Sequence, residues 1–379
     1  MTPEQTSEST QSIVHGSTTD GIGRPPPSRK TSFAIAGALI LVVGILFAIS
    51  IANRFLGSRG LSGYNIALQS AQFLEKTLQG DGSFELAYLC KSGEDVCSPI
   101  DVEGPRHTGQ AILAFYELYK ETGDVVFKEK ADHAMRYVLE QCTINKDFCE
   151  WNFFPLYVYY KETGDRRYLD GMLLSSKHLV AEENLSTFLS TNAGVKMRML
   201  YDVTKDVAYI DKLTSMTSRL LSGEPLVNNL VILNVDGVVI RAQDIQAAWS
   251  LLIPTYEVTR DPALLGIIEE TFERNNYTAH LDVYDAQPSG TADLTKGTET
   301  LLTLATFNEE KSDFYKREAQ TIGEHLLKTR WDNPEMPKFT GDYGFLTAYD
   351  ASSGKKDTLF NGWLIQLFLK MKDVSFLNN

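Results

Sequence analysis

The 379-residue sequence lacks the short motifs that identify several large enzyme classes. It contains no P-loop, no HExxH and no GxSxG, and no GxGxxG follows a predicted strand. These absences argue against nucleotide, zinc-protease and serine-hydrolase chemistry. Four cysteines are too few for a disulfide-dense domain, and 43% hydrophobic residues are too many for a wholly disordered or collagen-like chain. We therefore expect a globular protein, and we predict neither a cofactor nor a metal site.

Positive charge is also scarce. Lys and Arg total 36 against 49 Asp and Glu, which makes the formal net charge −13. Residues 1–32 carry three acids and three bases, and residues 33–52 carry no charge, so the whole acidic excess lies after residue 52. Because an acidic surface repels phosphate backbones, nucleic acid is not an expected partner.

Residues 33–52 form a long apolar run with no charged side chain and one hydroxyl, Ser50. At ~1.5 Å per residue, a helix of this length matches the ~30 Å hydrocarbon layer of a bilayer. We predict a transmembrane signal anchor. A cleaved signal peptide is the alternative, because Ser50 and Ala52 are small residues of the kind that a signal peptidase prefers. Three bases precede the run and two follow it, which favours a cytoplasmic N-terminus.

The predicted anchor divides the chain into segments of different composition. Residues 1–32 are rich in Ser, Thr, Gly and Pro and are predicted to be a disordered cytoplasmic tail. Residues 53–62 are a linker, and residues 63–379 form an extracytoplasmic domain. The protein is thus expected to be a single-pass membrane protein with the lipid bilayer as one partner.

The four cysteines form two pairs, each separated by seven positions: Cys90 with Cys97, and Cys142 with Cys149. Two local disulfides are the simplest arrangement, and they imply an oxidising compartment. Four free thiols and a zinc site are the alternatives, although the CxxC spacing typical of zinc sites is absent.

A short motif recurs along the chain. Residues 119–124 and 160–165 both read YKETGD, residues 201–206 read YDVTKD, and residues 256–261 read YEVTRD. The glycine of the first two copies suits the left-handed position that ends a helix, and the aspartate after it suits the N-cap of the next helix. A turn this short joins two antiparallel helices, so each copy marks a helical hairpin.

The helices on the two sides of each turn differ in character. Those after the turn are amphipathic, and those before it are apolar on nearly all faces, which predicts an outer ring around a buried inner ring. The outer helices are expected near residues 63–79, 125–141, 166–182, 207–222, 262–279 and 312–330. The inner helices are expected near residues 106–122, 150–163, 191–205, 242–260, 294–310 and 357–372.

Six alternating pairs predict an all-α (α/α)6 toroid of six helical hairpins, preceded by one transmembrane helix. An open α-solenoid that stacks the same hairpins is the alternative. Closure is favoured because neither end shows a polar capping repeat.

The segment RHTGQAILAFYELYKETGD (Arg106–Asp124), preceded by DGSF (Asp81–Phe84), resembles the (α/α)6 toroids of the six-hairpin glycosidase superfamily, in particular its uronate-epimerase-like and uncharacterised members. The resemblance covers residues 63–379 as architecture and about forty residues as motif, without a family-specific catalytic signature. It implies that a carbohydrate chain binds in a funnel at the N-terminal ends of the inner helices.

The connections that lead into the inner helices carry groups suited to sugar chemistry. We predict Glu150 as the general acid, because the apolar run after it would raise its pKa, and Asp244 as the base. Helix capping is the alternative role for these carboxylates. Trp249 and Trp363 are predicted to lie in the core. The other candidate catalytic residues are Asp357, Glu299 and His107, and the candidate substrate-binding residues are Asp81, Arg106, Trp151, Gln243, Trp331, Tyr343 and Asn361.

The sequence thus favours a membrane-anchored, extracytoplasmic carbohydrate-active protein that is glycosidase-like, acting as a hydrolase, lyase or epimerase with paired carboxylates. The alternative is a non-catalytic glycan-binding or protein-interaction scaffold on the same fold.

Overall fold

The computed structural model describes residues 60–85, 87–91, 98–99, 108–224, 232–235, 238–275, 277–282, 290–330, 344–345 and 353–377. The predicted tail and anchor and most of the predicted linker lie outside these residues. Within them, no helix has both the length and the apolar character needed to cross a membrane.

The helices of the described residues alternate between an outer and an inner ring, as predicted. The outer helices are α1 (Gly63–Thr77), α3 (Val125–Ile144), α6 (Arg166–Ala181), α9 (Ala208–Leu221), α12 (Pro262–Asn275) and α14 (Ser312–Leu326). The inner helices are α2 (Gly109–Thr122), α5 (Phe153–Thr163), α8 (Ala193–Thr204), α10 (Ala242–Ala247) continued by a π-helical turn (Ala248–Leu252) into α11 (Ile253–Thr259), α13 (Gly290–Phe307) and α15 (Thr358–Lys370). Two short helices, α4 (Lys146–Trp151) and α7 (Leu185–Ser190), and two 3₁₀ turns (Tyr277–His280 and Leu327–Thr329) lie in the connections.

Burial follows the predicted difference between the rings. Ten of the thirteen residues of α15 are buried, against six of the twenty residues of α3. An inner helix packs against neighbours on nearly all sides, whereas an outer helix buries one face and leaves the other in solvent.

The recurring motif builds the same turn at four places. In the first copy, Thr122 Oγ1 accepts a hydrogen bond from the Asp124 N–H (3.0 Å), and Asp124 Oδ1 accepts one from the Val126 N–H (3.0 Å). The same pair of bonds recurs at Thr163 and Asp165, Thr204 and Asp206, and Thr259 and Asp261. Each turn thereby caps the outer helix that follows it.

The left-handed position of the turn is filled in two ways. Gly123 adopts it at φ 72°, where glycine carries no steric penalty. Lys205 and Arg260 adopt it at φ 59° and 56°, where a side chain costs about 1–2 kcal/mol. Each of these cations lies over the tyrosine four residues earlier, 5.4 Å and 5.5 Å from the centroids of the Tyr201 and Tyr256 rings, and this contact offsets part of the strain.

The ring is closed. Strand β1 (Gly60–Ser62) pairs antiparallel with the last strand, β7 (Ser375–Leu377), with Gly60 opposite Leu377. The last inner helix, α15, packs against both α1 and α2. The first and last parts of the domain are therefore neighbours, which excludes the open solenoid.

The all-α prediction overlooked two small sheets in the long connections besides the closing pair. Strands β2 (Ala87–Lys91), β3 (Ser98–Pro99) and β6 (Ser353–Asp357) form an antiparallel sheet in the order β3-β2-β6, and β4 (Ile232–Val235) pairs with β5 (Val238–Arg241). For the hairpin the signal was present, because Asp-Gly between two β-branched runs is a strong hairpin signature. The long connections thus hold short sheets at the N-terminal ends of α2, α10 and α15.

Cys142 and Cys149 form the predicted disulfide, with their Cα atoms 5.1 Å apart. The bond ties the end of α3 to α4, directly before an inner helix, and both cysteines are buried. The predicted pair of Cys90 with Cys97 lies outside the described residues, except for the backbone of Cys90 in β2.

A substitution at Gly362 tests ring closure, because a Cβ atom there would lie 2.6 Å from the backbone N of Ala111 in α2. We expect Gly362→Ala to lower the free energy of unfolding by about 1–3 kcal/mol, measured by urea unfolding of the purified chain. The matched control is Gly266→Ala on the exposed face of α12, where no atom lies within 4 Å of the added Cβ. The control should gain up to about 1 kcal/mol from helix propensity. Equal stability of Gly362→Ala and the natural chain would contradict the close approach of α15 to α2.

Candidate functional site

A cavity of about 280 Å³ lies on the axis of the ring. Its size is close to the lower end of the ~300–1,000 Å³ typical of small-molecule sites. All six inner helices contribute to its wall, so the cavity exists only because the ring closes. Its polar and aromatic lining residues include Gln110, Glu117, Tyr157, Arg198, Trp249, Glu257, Glu299, Trp363, Gln366 and Lys370.

Glu299, on α13, is held by two other inner helices. Its Oε1 accepts a hydrogen bond from Lys370 Nζ (2.6 Å), and its Oε2 accepts one from Trp249 Nε1 (3.0 Å). The Glu299 side chain is 11% exposed. The carboxylate therefore has a fixed position, with one donor on each oxygen.

Glu117, on α2, has an unusual acidity. Burial within the ring raises its pKa to about 7, the nearby Glu299 acts in the same direction, and Lys370 opposes them. Among the described residues no group donates a hydrogen bond to its carboxyl oxygens. Near neutral pH this carboxyl therefore holds its proton for about half of the time, beside a second carboxylate that is anchored.

Lys370, the last residue of α15, bonds Glu299 and interacts electrostatically with Glu117. Burial alone would lower its pKa, but Glu299 and Glu117 outweigh burial, so the pKa is raised. The Lys370 side chain is 47% exposed and contributes to the wall of the cavity. Lys370 therefore keeps its positive charge and neutralises the cluster.

Two indole rings form part of the wall near these carboxyls. The centroids of Trp249 and Trp363 lie 5.4 Å apart with their planes tilted by 49°. Lys296 Nζ lies 5.9 Å from the centroid of the Trp363 ring. Both tryptophans were predicted to be core residues, but their rings line the cavity and offer an apolar surface beside the carboxyls.

Polar networks continue toward both ends of the inner helices. Toward the N-terminal ends, Lys296 donates a hydrogen bond to Gln246 Oε1, and Gln246 Nε2 donates to the Leu189 carbonyl (2.6 Å). Toward the C-terminal ends, Arg198 pairs with Glu257 at 2.6 Å. Hydrogen-bonded polar groups thus lie toward both ends of the inner helices, and the lining between them combines polar with apolar side chains.

The predicted acid and base are not among the described residues that line this cavity. Glu150 accepts a hydrogen bond from Lys196 Nζ (3.2 Å) and lines a separate depression beside α6. Asp244 is half-buried in the first turn of α10. Asp357 caps α15, accepting a hydrogen bond from the Phe360 N–H (3.2 Å). Of the predicted carboxylates, Glu299 is the one that lines the cavity.

The predicted substrate-binding residues are scattered. Asp81 is exposed and accepts hydrogen bonds from the N–H and Oγ of Ser83, which lower its pKa. Asn361 is fully buried and exchanges hydrogen bonds with the backbone of Phe345 (2.6 Å and 3.1 Å). Trp151 is 48% exposed. The side chain of Gln243 lies outside the described residues, as do Arg106, His107, Trp331 and Tyr343.

Sequence reasoning missed Glu117 and Lys370, because it searched the connections before the inner helices. A signal for them was present. Each is an ionisable residue within or at the end of an otherwise apolar inner helix, where a charge is costly unless it is partnered or functional.

No family model and no curated protein sequence matches this chain. Solved structures do match. The alpha-1,6-mannanase of Salegentibacter sp. HEL1_6, in complex with alpha-1,6-mannotetrose, is 15% identical with a TM-score of 0.61, covering 82% of this chain and 99% of its own. An unsaturated glucuronyl hydrolase from Streptococcus agalactiae is 12% identical with a TM-score of 0.58, covering 86% and 96%. An unsaturated glucuronyl hydrolase specific for heparin is 12% identical with a TM-score of 0.60, covering 82% and 97%.

These similarities confirm the predicted (α/α)6 toroid, and at such low identity they show the fold alone. The mannanase was inactivated by replacing two consecutive aspartates, and this chain contains no two consecutive aspartates.

The raised pKa of Glu117 predicts a dependence of stability on pH. Between pH 4.5 and about 7 the unfolded chain loses the Glu117 proton while the folded chain keeps it. The free energy of unfolding should therefore fall as the pH rises through this window, by about 1–3 kcal/mol. In Glu117→Gln this part of the fall should be absent when the free energy of unfolding is measured with urea at pH 5, 6 and 7.

The control is Glu121→Gln, one turn further along α2, where Glu121 pairs with Lys372 at the surface (2.8 Å). This variant should keep the pH dependence of the natural chain. If the free energy of unfolding changed with pH in the same way in the natural chain and both variants, the pKa of Glu117 would not be raised.

Proposed function

We propose that the protein is a glycan-active enzyme of the glycosidase type and that its reaction takes place in the central cavity. The observation that carries this proposal is the arrangement of Glu117 beside Glu299. One carboxyl holds its proton near pH 7, the other is anchored by Lys370 and Trp249, and two indole rings lie next to them. The similarity in fold to enzymes named for action on mannan and on unsaturated glucuronyl glycans adds support.

The roles follow from the two environments. Glycoside hydrolysis needs one carboxylic acid and one carboxylate on opposite sides of the bond that breaks. Glu117 gives its proton to the glycosidic oxygen as the C–O bond breaks, so that the leaving sugar departs as an alcohol. Glu299 either activates the water that attacks the anomeric carbon or attacks that carbon itself. Lys370 and Trp249 orient Glu299, and the indole rings pack against the apolar face of the sugar.

A panel of glycans tests this proposal. It contains α-1,6-linked mannan with its oligosaccharides, and unsaturated uronate-terminated oligosaccharides of heparin, and reducing ends or released products are measured. We expect Glu117→Gln and Glu299→Gln each to lower kcat by about 10²–10⁴-fold. The alkaline limb of kcat/KM should lie near pH 7 and should be missing in Glu117→Gln.

Glu121→Gln is the matched control and should keep full activity. The pair predicted from the sequence is compared in the same assay through Glu150→Gln and Asp244→Asn, which should retain turnover. If Glu117→Gln and Glu299→Gln kept full activity while Glu150→Gln and Asp244→Asn lost it, the catalytic roles would belong to the pair predicted from the sequence.

A second candidate function is binding of glycan without turnover. It is favoured by one observation, that both oxygens of Glu299 already have a donor, which leaves the carboxylate satisfied. Binding of a panel glycan without any product would select this function.

We further propose that residues 33–52 anchor the protein in a membrane and that the toroid lies on the extracytoplasmic side. The length and apolarity of this run support the anchor, and the disulfide of Cys142 with Cys149 supports an oxidising compartment. The chain should resist alkaline extraction of membranes, and protease added to intact cells should digest the toroid. Val42→Arg with Val43→Arg should release the protein, because each arginine at a helix centre costs about 2.5–3.5 kcal/mol.

The control adds the same two arginines in the tail, as Ser17→Arg with Thr18→Arg, and should stay in the membrane. A shorter protein in the medium would instead select the cleaved signal peptide, and a toroid protected from the protease would contradict the proposed orientation.

A further inference from the structure

A second concavity, of about 680 Å³, lies at the short-turn ends of the first two hairpins. Its walls come from inner helices α2 and α5 and outer helices α3 and α6. On α2, Tyr116 and Tyr119 face this concavity, whereas Leu113 and Glu117 face the central cavity. Neighbouring residues of a helix point about 100° apart, so one helix serves two sites without sharing a side chain.

Four tyrosine rings form a continuous ladder in this concavity, which we call the tyrosine groove. Successive ring centroids lie 6.3 Å apart from Tyr119 to Tyr116, 5.4 Å from Tyr116 to Tyr159, and 5.5 Å from Tyr159 to Tyr168. Tyr116 and Tyr159 are buried, and Tyr119 and Tyr168 are partly exposed at the two ends of the ladder. The Tyr159 hydroxyl donates to Asp132 Oδ1 (2.9 Å), which fixes the buried rings.

The charges of the groove are largely balanced. Lys120 pairs with Glu162 at 2.8 Å, and Lys128 pairs with Asp132 at 2.5 Å. Each of the two carboxylates is therefore already paired with a lysine and does not favour a cationic ligand. Arg136 contacts His133 Nδ1 at 3.3 Å and has further N–H groups that can donate to a ligand. The groove therefore offers aromatic surface together with donors and acceptors, without a strong net charge.

We propose that the tyrosine groove is a second glycan-binding site that holds a neutral polysaccharide chain away from the reacting groups. The identity of the ligand as a glycan rests on the proposed function. A neutral sugar has apolar C–H faces that pack on the partly exposed rings of Tyr119 and Tyr168, and hydroxyls that both accept and donate along the charged edge. The size of the groove lies within the ~300–1,000 Å³ typical of ligand sites and suits a short stretch of chain.

The test replaces the two exposed rings together, as Tyr119→Ala with Tyr168→Ala. The matched control is Tyr201→Ala, because Tyr201 occupies the position of Tyr119 in the third copy of the turn motif and lies outside the groove. Binding of neutral α-1,6-mannan and of heparin is measured by affinity electrophoresis in the Glu117→Gln background, where turnover is suppressed. We expect the double variant to bind mannan about tenfold or more weakly, which equals about 1.4 kcal/mol, and the control to bind normally.

Activity supplies the second measurement. In the otherwise natural chain, the double variant should raise KM for the polysaccharide and leave kcat on a short oligosaccharide unchanged. If the double variant bound and turned over mannan as the natural chain does, the tyrosine groove would not be a glycan-binding site, and the proposed function would be unaffected. Mannan binding that depends on the tyrosines, without turnover in any variant, would support the groove and overturn the catalytic proposal. Binding of heparin in preference to mannan, or of neither polysaccharide, would overturn the groove as a site for neutral glycan.

Discussion

Closure of the ring brings the two ends of the domain together and gives the six inner helices a common centre. Strand β1 pairs with β7, and α15 packs between the first outer and the first inner helix, with the backbones of α15 and α2 in close approach at Gly362. An open arrangement of the same hairpins would expose the apolar inner helices at both ends. It would also leave Glu117, Glu299 and Lys370 without a common environment, because they come from three helices that are distant in sequence.

The closed ring places two carboxyls and one ammonium group in its centre, where charges are costly unless they are compensated. Lys370 bonds Glu299 and lies near Glu117, so the cluster is neutral when Glu117 is protonated. Burial thus favours the protonated form of Glu117, whereas Lys370 and Trp249 fix the position of the Glu299 carboxylate. The same desolvation that costs stability raises the pKa of Glu117.

The two faces of the ring are built by different means. On one face the turns are short, and four of them share a pair of side-chain hydrogen bonds, such as those of Thr122 and Asp124. On the other face the connections are longer and contain the strands of the small sheets. Short turns set the pairing of each inner helix with its outer helix, and they also bring tyrosines of adjacent hairpins together. The tyrosine groove is a consequence of this regularity, because the first two copies of the turn lie side by side.

Periodicity, capping and short loops are local properties, so they predicted the twelve main helices, their division into two rings and the turns, and cysteine spacing favoured the disulfide of Cys142 with Cys149. The sequence indicated Glu299 among several carboxylates, but it assigned Trp249 and Trp363 to the core and left Glu117 and Lys370 unnoticed. Which inner-helix residues face one cavity depends on how six helices are rotated about their axes, and this rotation is set by tertiary packing. The acidity of Glu117 is likewise set by tertiary packing, because a pKa responds to burial and to neighbours that arrive from distant parts of the chain.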